Sequence, residues 1–223
     1  KYLKASGTVT IPSRTWISVP CTIIHAGCKV QFEDIEWSGI YQLKPYPIYD
    51  GAVRMKKNMY KKNTFHCLSF HIRKHIPIGK GGMILTDDEM VAESCREIRN
   101  LCFMPDNRFV HERLGWNFRM TNIQAAIGLA QLEKLDQTIS RKRWIGKKYN
   151  ELLDGCTSLQ LPLPETSYAK NVYWVYPVVL NDCCRIGAPE AMSKLEELKI
   201  GTRPFFYPMH KQPVFRKMGL FEN

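Results

Sequence analysis

The chain has 223 residues, 44% of them apolar and 11% aromatic, which is enough to bury a substantial core and too much for a disordered tail. With 32 basic against 21 acidic residues it carries a formal charge of +11, suiting an anionic partner such as a nucleic acid or a nucleotide diphosphate. No run of about 18 uncharged apolar residues occurs, and no apolar core follows Lys1-Tyr2-Leu3-Lys4, so neither a membrane span nor a signal peptide is expected and the default location is the cytoplasm.

In chain order, Thr8-Val9-Thr10-Ile11-Pro12 is a β-rich run ended by proline. Residues 16–26 then predict a helix with Pro20 in its first turn, closed by Gly27, and Lys29-Val30-Gln31-Phe32 alternates like a strand. A β-α-β order favours a parallel sheet, so the fold class expected is α/β. Residues 46–49, 65–70 and 83–85 read as further strands of that sheet, and each ends where polar chemistry begins: Asp50, Ser69 and Lys74 stand at strand ends or in the loop between strands. Thr86-Asp87-Asp88-Glu89 predicts a capping box and a helix to about Leu101. A second box, Thr121-Asn122-Ile123-Gln124, opens a helix apolar on more than one side, whose start is expected to be buried or to lie at a subunit contact. A basic helical stretch runs from Ser140 to Gly155, and a connector with Pro162, Pro164 and Thr166 marks a domain boundary, dividing the chain into 1–160 and 161–223. Beyond it, 172–180 predicts a long strand, 189–198 a helix with proline in its first turn, and Ile200 onward another strand.

The basic residues are spread along the chain, at 54–62 and 141–148, without interleaved aromatics, so they read as solvated helix faces and no nucleic-acid partner is expected. Eight cysteines are scattered within apolar runs and read as reduced. There is no Cys-x-x-Cys pair, and Pro77 argues against a helix that would align His71 with His75, so no metal site is expected.

A lysine that does imine chemistry needs a lowered pKa, and Arg73, His75 and Lys80 are neighbouring cations able to supply it for Lys74. Such chemistry uses a cofactor that withdraws electrons, which in pyridoxal-phosphate (PLP) enzymes needs an acid near the ring nitrogen; Asp50 is the candidate. The run Ser69-Phe70-His71-Ile72-Arg73-Lys74-His75-Ile76, followed by Gly79-Lys80-Gly81-Gly82-Met83 and Thr86-Asp87, resembles the cofactor-lysine segment of the DegT/DnrJ/EryC1/StrS sugar aminotransferase family. The resemblance continues through Pro12-Ser13-Arg14-Thr15-Trp16, Asp50-Gly51-Ala52, the run Gly115-Trp116-Asn117-Phe118-Arg119-Met120, Gln124-Ala125-Ala126, and the run from Thr202 to His210, which is most similar to the perosamine-synthase branch.

That resemblance implies the PLP-dependent transferase fold of type I: a three-layer αβα large domain with a mostly parallel sheet and a partial, smaller α+β C-terminal domain. It implies PLP as cofactor, a nucleotide-diphosphate keto-sugar as substrate, glutamate as amino donor, a role in polysaccharide or O-antigen-type sugar synthesis, and a homodimer as the working form. Lys74 would carry the cofactor and move the substrate proton, Asp50 would meet the pyridine nitrogen, Trp16 would stack on the ring, and Ser69 would bind the phosphate. Asn117 would reach a phosphate in the neighbouring subunit's site, and Arg119, Arg203 and His210 would contact substrate or the dimer partner. The family's glycine-threonine phosphate loop normally precedes the segment that begins at Lys1, the stretch between Thr15 and Asp50 is short, and a final strand and helix would follow Asn223. Val53 stands where a polar residue usually meets the cofactor's ring hydroxyl, and Lys80 where glutamate is usual. The sequence is therefore expected to be truncated at both ends and to bind PLP weakly. Two alternatives stay open: a PLP-dependent sugar dehydratase of the same family, which carries histidine at the lysine position, and a non-catalytic binding protein.

Overall fold

The computed structural model describes residues 3–55, 58–104, 106–107 and 109–221. Lys1, Tyr2, Lys56, Lys57, Pro105, Arg108, Glu222 and Asn223 lie outside the described residues, so the readings that touch the first two and last two positions do too. Two compact units are present, residues 1–129 with 208–223, and residues 130–207. The boundary expected at 160–161 falls inside the second unit, and the last residues of the chain pack with the first.

The first unit starts with β1 (Thr8–Pro12), α1 (Ser18–His25) and β2 (Lys29–Glu33), and the strands pair in parallel from Thr8 opposite Lys29 to Pro12 opposite Glu33. Alternation turns Val9 and Ile11 of β1 and Val30 of β2 inward, where they meet Ile23 of α1, Cys28 and Tyr41 in one buried cluster. Each such aliphatic side chain contributes roughly 1.5–3 kcal/mol by leaving water. A second sheet, in the order β3 (Tyr41–Leu43), β4 (Ile48–Asp50), β5 (Phe65–Ser69), β6 (Gly82–Leu85), is tied to the first by a backbone bridge between Thr10 and Lys44. Within it β4 and β5 run parallel, whereas β3–β4 and β5–β6 are antiparallel. The Lys74 loop therefore closes an antiparallel hairpin rather than a parallel crossover, with Phe70 N–H donating to Gly81, Ile78 N–H to Phe70 and Ile72 N–H to Gly79. The three-residue β3 was not anticipated from sequence, being too short for its alternation to register.

Next comes α2 (Glu89–Arg99), capped by Asp88, whose side chain accepts from Val91 N–H at 3.1 Å; Thr86 instead accepts from Asp88 N–H. The expected box at Thr86 is corrected by two residues, because Asp88 has the extended backbone that an N-cap needs and its carboxylate is the stronger acceptor at a helix N-terminus. In α3 (Asn122–Glu133) the box is as expected: Thr121 Oγ1 accepts from Gln124 N–H at 3.2 Å and Gln124 Oε1 accepts from Thr121 N–H at 3.0 Å. Finally, a short 3-10 turn, Met209–Lys211, and α6 (Pro213–Lys217) bury Met209 and Phe215, with the Phe215 ring 5.8 Å from Phe32 of β2.

The second unit holds α4 (Leu135–Leu152), a two-stranded pair of β7 (Leu159–Gln160) and β8 (Val179–Leu180), and α5 (Ala188–Glu197) with proline in its first turn. The long strand expected over 172–180 is corrected to the two residues of β8. Tyr173, at φ +47, turns the chain so that its buried ring packs on α4 at Gly146, where a Cβ would come within 2.4 Å of that ring. The strand expected from Ile200 is corrected as well, because 201–208 is irregular and exposed until the turn at Met209.

Candidate active site

An open cleft in the first unit is lined by Gly51, Ala52, Val53, Arg54, Met55, Leu68, Ser69, Lys74, His75 and Ile76. Two chain segments build it: the loop leaving β4 after Asp50, and the hairpin loop leaving β5 after Ser69. Because β4 and β5 are parallel neighbours, with Asp50 opposite Cys67, both loops emerge from the same sheet edge. It encloses only about 10 Å³, about the space of one water, and so walls one side of any larger ligand.

A tight turn, in which Lys74 N–H donates to His71 C=O at 2.8 Å, sets the lysine back over this cleft. Ser69 Oγ accepts from His71 N–H at 3.3 Å, which anchors the start of the same turn and leaves the hydroxyl proton for a ligand anion. Burial holds the Lys74 amine below the usual lysine range, and the negative charge of Asp50 pulls the other way. The sequence argument assigned the lowering to Arg73, His75 and Lys80; the cause is desolvation instead, since Arg73 and Lys80 face solvent. The exit of the loop is held from α3, where Gln124 Nε2 donates to Lys80 C=O at 2.9 Å while its Oε1 serves the cap.

Asp50 ends β4 with both oxygens engaged: Oδ1 accepts from Ala52 N–H and Oδ2 from the Tyr41 hydroxyl, each at 2.8 Å. A carboxylate with one bond to each oxygen keeps lone pairs for a further donor. Tyr41, buried and directly opposite Asp50 in the β3–β4 register, in turn meets Thr15 Oγ1 at 2.5 Å. Neither Tyr41 nor Thr15 was singled out from sequence, since the pairing depends on a strand that the pattern does not reveal.

The remaining expected residues lie elsewhere. Trp16 is half-exposed at the entrance to α1, next to Thr15. Asn117 and Arg119 sit on the segment that pairs with the end of α2, where Arg119 Nε donates to Asn117 Oδ1 at 2.8 Å, and neither lines the cleft. His210 is exposed on the 3-10 turn, its ring edge-on to Phe221, and Arg203 is exposed in the second unit. Of the eight, Lys74 and Ser69 line the cleft and Asp50 acts on the lysine's charge.

The donor set fits PLP in kind: an amine lowered by burial for its carbonyl, a carboxylate with spare acceptor capacity for its ring nitrogen, and a hydroxyl for its phosphate. Residues 48–222 match the model of the DegT/DnrJ/EryC1/StrS aminotransferase family. The GDP-perosamine synthase of Vibrio cholerae is 33% identical over 174 residues, 75% of this chain and 46% of that protein, so the chain spans about half the length of such relatives. Among solved structures, Helicobacter pylori PseC, an aminotransferase involved in pseudaminic acid biosynthesis, overlays with a TM-score of 0.78 at 16% identity, covering 99% of this chain and 70% of that one. DesI, solved in the presence of its TDP-sugar product, overlays with a TM-score of 0.77 at 20% identity, covering 94% of this chain and 64% of that one. These likenesses establish the α/β, fold-type-I architecture that the resemblance implied. With a matching family model over more than half its length, the chain belongs to the DegT/DnrJ/EryC1/StrS aminotransferase family.

Proposed function

We propose that the chain carries the cofactor site of a PLP-dependent aminotransferase that moves an amino group, from glutamate, onto a keto-sugar of a nucleotide diphosphate. The observation that supports this most is a half-buried lysine amine lining a cleft beside a strand that ends in a carboxylate acting on its charge. The names of the relatives, perosamine synthases and a TDP-sugar enzyme, favour a nucleotide sugar, and the surplus of basic residues suits its diphosphate.

When bound, PLP supplies a carbonyl for the amine and a ring that withdraws electrons. Lys74 then has two tasks, holding that carbonyl carbon and carrying a proton to and from the sugar carbon, both of which need a neutral amine. Its partial burial shifts the balance toward that form by disfavouring the ammonium, while the Asp50 charge opposes the shift. Asp50 offers a charged acceptor to the ring nitrogen, Ser69 a hydroxyl proton to the phosphate, and Trp16 an aromatic plane. Asn117 and Arg119, on their exposed segment, are assigned to a neighbouring copy's site, and Arg203 and His210 to substrate contacts.

A homodimer belongs to the same proposal, because Leu114, Phe118, Ile123 and Ile127 are all exposed on one stretch of the first unit. So does a cytoplasmic location, supported by eight cysteines that are all free. Among the described residues no helix is long and apolar enough to cross a membrane.

Titration with PLP tests the site. A visible absorbance band is expected to grow gradually, since the cleft walls only one side of the ligand, and Lys74→Ala is expected to lose the band and amino transfer together. Turnover that survives in Lys74→Ala, or no band in the wild-type protein at any PLP concentration, would sink the assignment.

A further inference from the structure

Asp50 does not stand alone. In the antiparallel β3–β4 pair Tyr41 lies directly opposite it, so the two side chains share one face of the sheet, and the Tyr41 hydroxyl donates to Asp50 Oδ2 at 2.8 Å. A phenol has one proton; with that proton committed to Asp50, the bond between Tyr41 and Thr15 must be donated by the threonine hydroxyl. The result is a directed chain from Thr15 through Tyr41 to Asp50. It links the loop after β1, which carries Trp16, to the end of β4.

The surroundings keep this chain rigid and pointed one way. Thr15 and Tyr41 are each about 5% exposed, at 5% and 6%. Trp37 packs edge-on against the Tyr41 ring at 4.8 Å and is itself fixed by donation of its indole N–H to Arg14 C=O at 2.8 Å. Burial, and then the charge of Asp50, hold the phenol far above the usual tyrosine range, so it remains a donor at every physiological pH.

We propose that Tyr41 is the positioning residue of this site, its hydroxyl fixing the Asp50 carboxylate in orientation and charge for the cofactor's ring nitrogen, with Thr15 holding Tyr41 in turn. The inference rests on the PLP reading above and adds to it the residues that make Asp50 an effective partner. A hydrogen bond to a charged acceptor is among the stronger ones, so its loss should be measurable without destroying the site.

The test uses the wild-type chain with Tyr41→Phe, Thr15→Val and Asp50→Asn. In the protein without cofactor, ultraviolet titration of the phenols, differenced against Tyr41→Phe, isolates Tyr41; it is expected to ionise at lower pH in Asp50→Asn than in wild type. With PLP present, Tyr41→Phe is expected to weaken binding about tenfold and to move the pH midpoint of the visible band, while Thr15→Val does the same to a smaller extent. A Tyr41 titration that Asp50→Asn leaves unmoved overturns the proposal, as does a band whose midpoint is the same in wild type and Tyr41→Phe. Should Tyr41→Phe fail to fold, Asp50→Asn is differenced against wild type and Thr15→Val carries the band measurement. A wild-type chain that shows no band sinks the PLP reading, and the phenol titration still decides whether Tyr41 and Asp50 are coupled.

Discussion

At the scale of single residues, the core of the first unit holds a histidine whose state has consequences for stability. His66 is 1% exposed, its Nε2 accepts from Lys61 N–H at 3.3 Å, and its Nδ1 has no hydrogen-bond partner among the described residues. With Nε2 an acceptor, the proton sits on Nδ1, in a ring whose centroid lies 5.2 Å from that of Tyr49 and 5.4 Å from that of Tyr60. Burial, then the nearby Lys61 charge, lowers its pKa. A lowered base binds fewer protons folded than unfolded, so stability falls as pH drops below the ordinary histidine value of 6.5. His66→Phe, which removes the unpaired donor and the titration together, is expected to flatten this dependence in melting curves recorded on either side of 6.5. A wild-type melting temperature that does not change across that value would contradict the argument. Lys74 and Asp50 could be proposed from the sequence because each follows a short apolar run, and lysine and aspartate are the residue types that PLP chemistry requires. Tyr41 could not, because nothing in Tyr41-Gln42-Leu43 distinguishes a residue opposite Asp50 from any other tyrosine.

At the scale of elements, the hairpin that presents Lys74 depends on a close approach of its two strands. Gly82 of β6 lies opposite Ser69, and a Cβ there would come within 2.6 Å of Leu68 C=O, a backbone atom that cannot swing aside. Gly82→Ala is therefore expected to push β6 from β5, to destabilise the chain by about 1–3 kcal/mol and to loosen the Lys74 turn. Denaturant unfolding checks the first, and loss of the PLP band at unchanged protein concentration the second; an unshifted unfolding midpoint would show that the strands yield more easily than the geometry allows. Elements with local signals were read well: β1 from a β-rich run ended by proline, α3 from its reciprocal Thr121 and Gln124 cap, α5 from proline in its first turn. Failures came where tertiary contacts set the backbone. Residues 172–178 are as apolar as a strand, but Tyr173 leaves extended geometry to bury its ring against Gly146.

At the scale of the whole molecule, the apolar stretch around α3 is the feature a lone chain does not explain. Ile123 is 75% and Ile127 43% exposed, and no residue of α3 is buried among those described. If a second copy covers them, each Ile contributes roughly 1.5–3 kcal/mol on burial, so the pair Ile123→Asp and Ile127→Asp is expected to weaken self-association at least 100-fold. Light scattering on the eluted protein measures this, and a wild-type chain that remains monomeric at every accessible concentration would remove the dimer from the proposal.

The sequence alone determined the family and the α/β class, and it singled out Lys74 and Asp50 as the lysine and acid that the proposal assigns to the cofactor, because these reside in ordered runs of residues. Only the tertiary structure decided that burial rather than neighbouring cations lowers Lys74, that an antiparallel hairpin carries it, and that Thr15 and Tyr41 steady Asp50 across 35 positions of chain. Desolvation and cross-strand pairing are properties of what lies opposite a residue in space, and no local pattern encodes them.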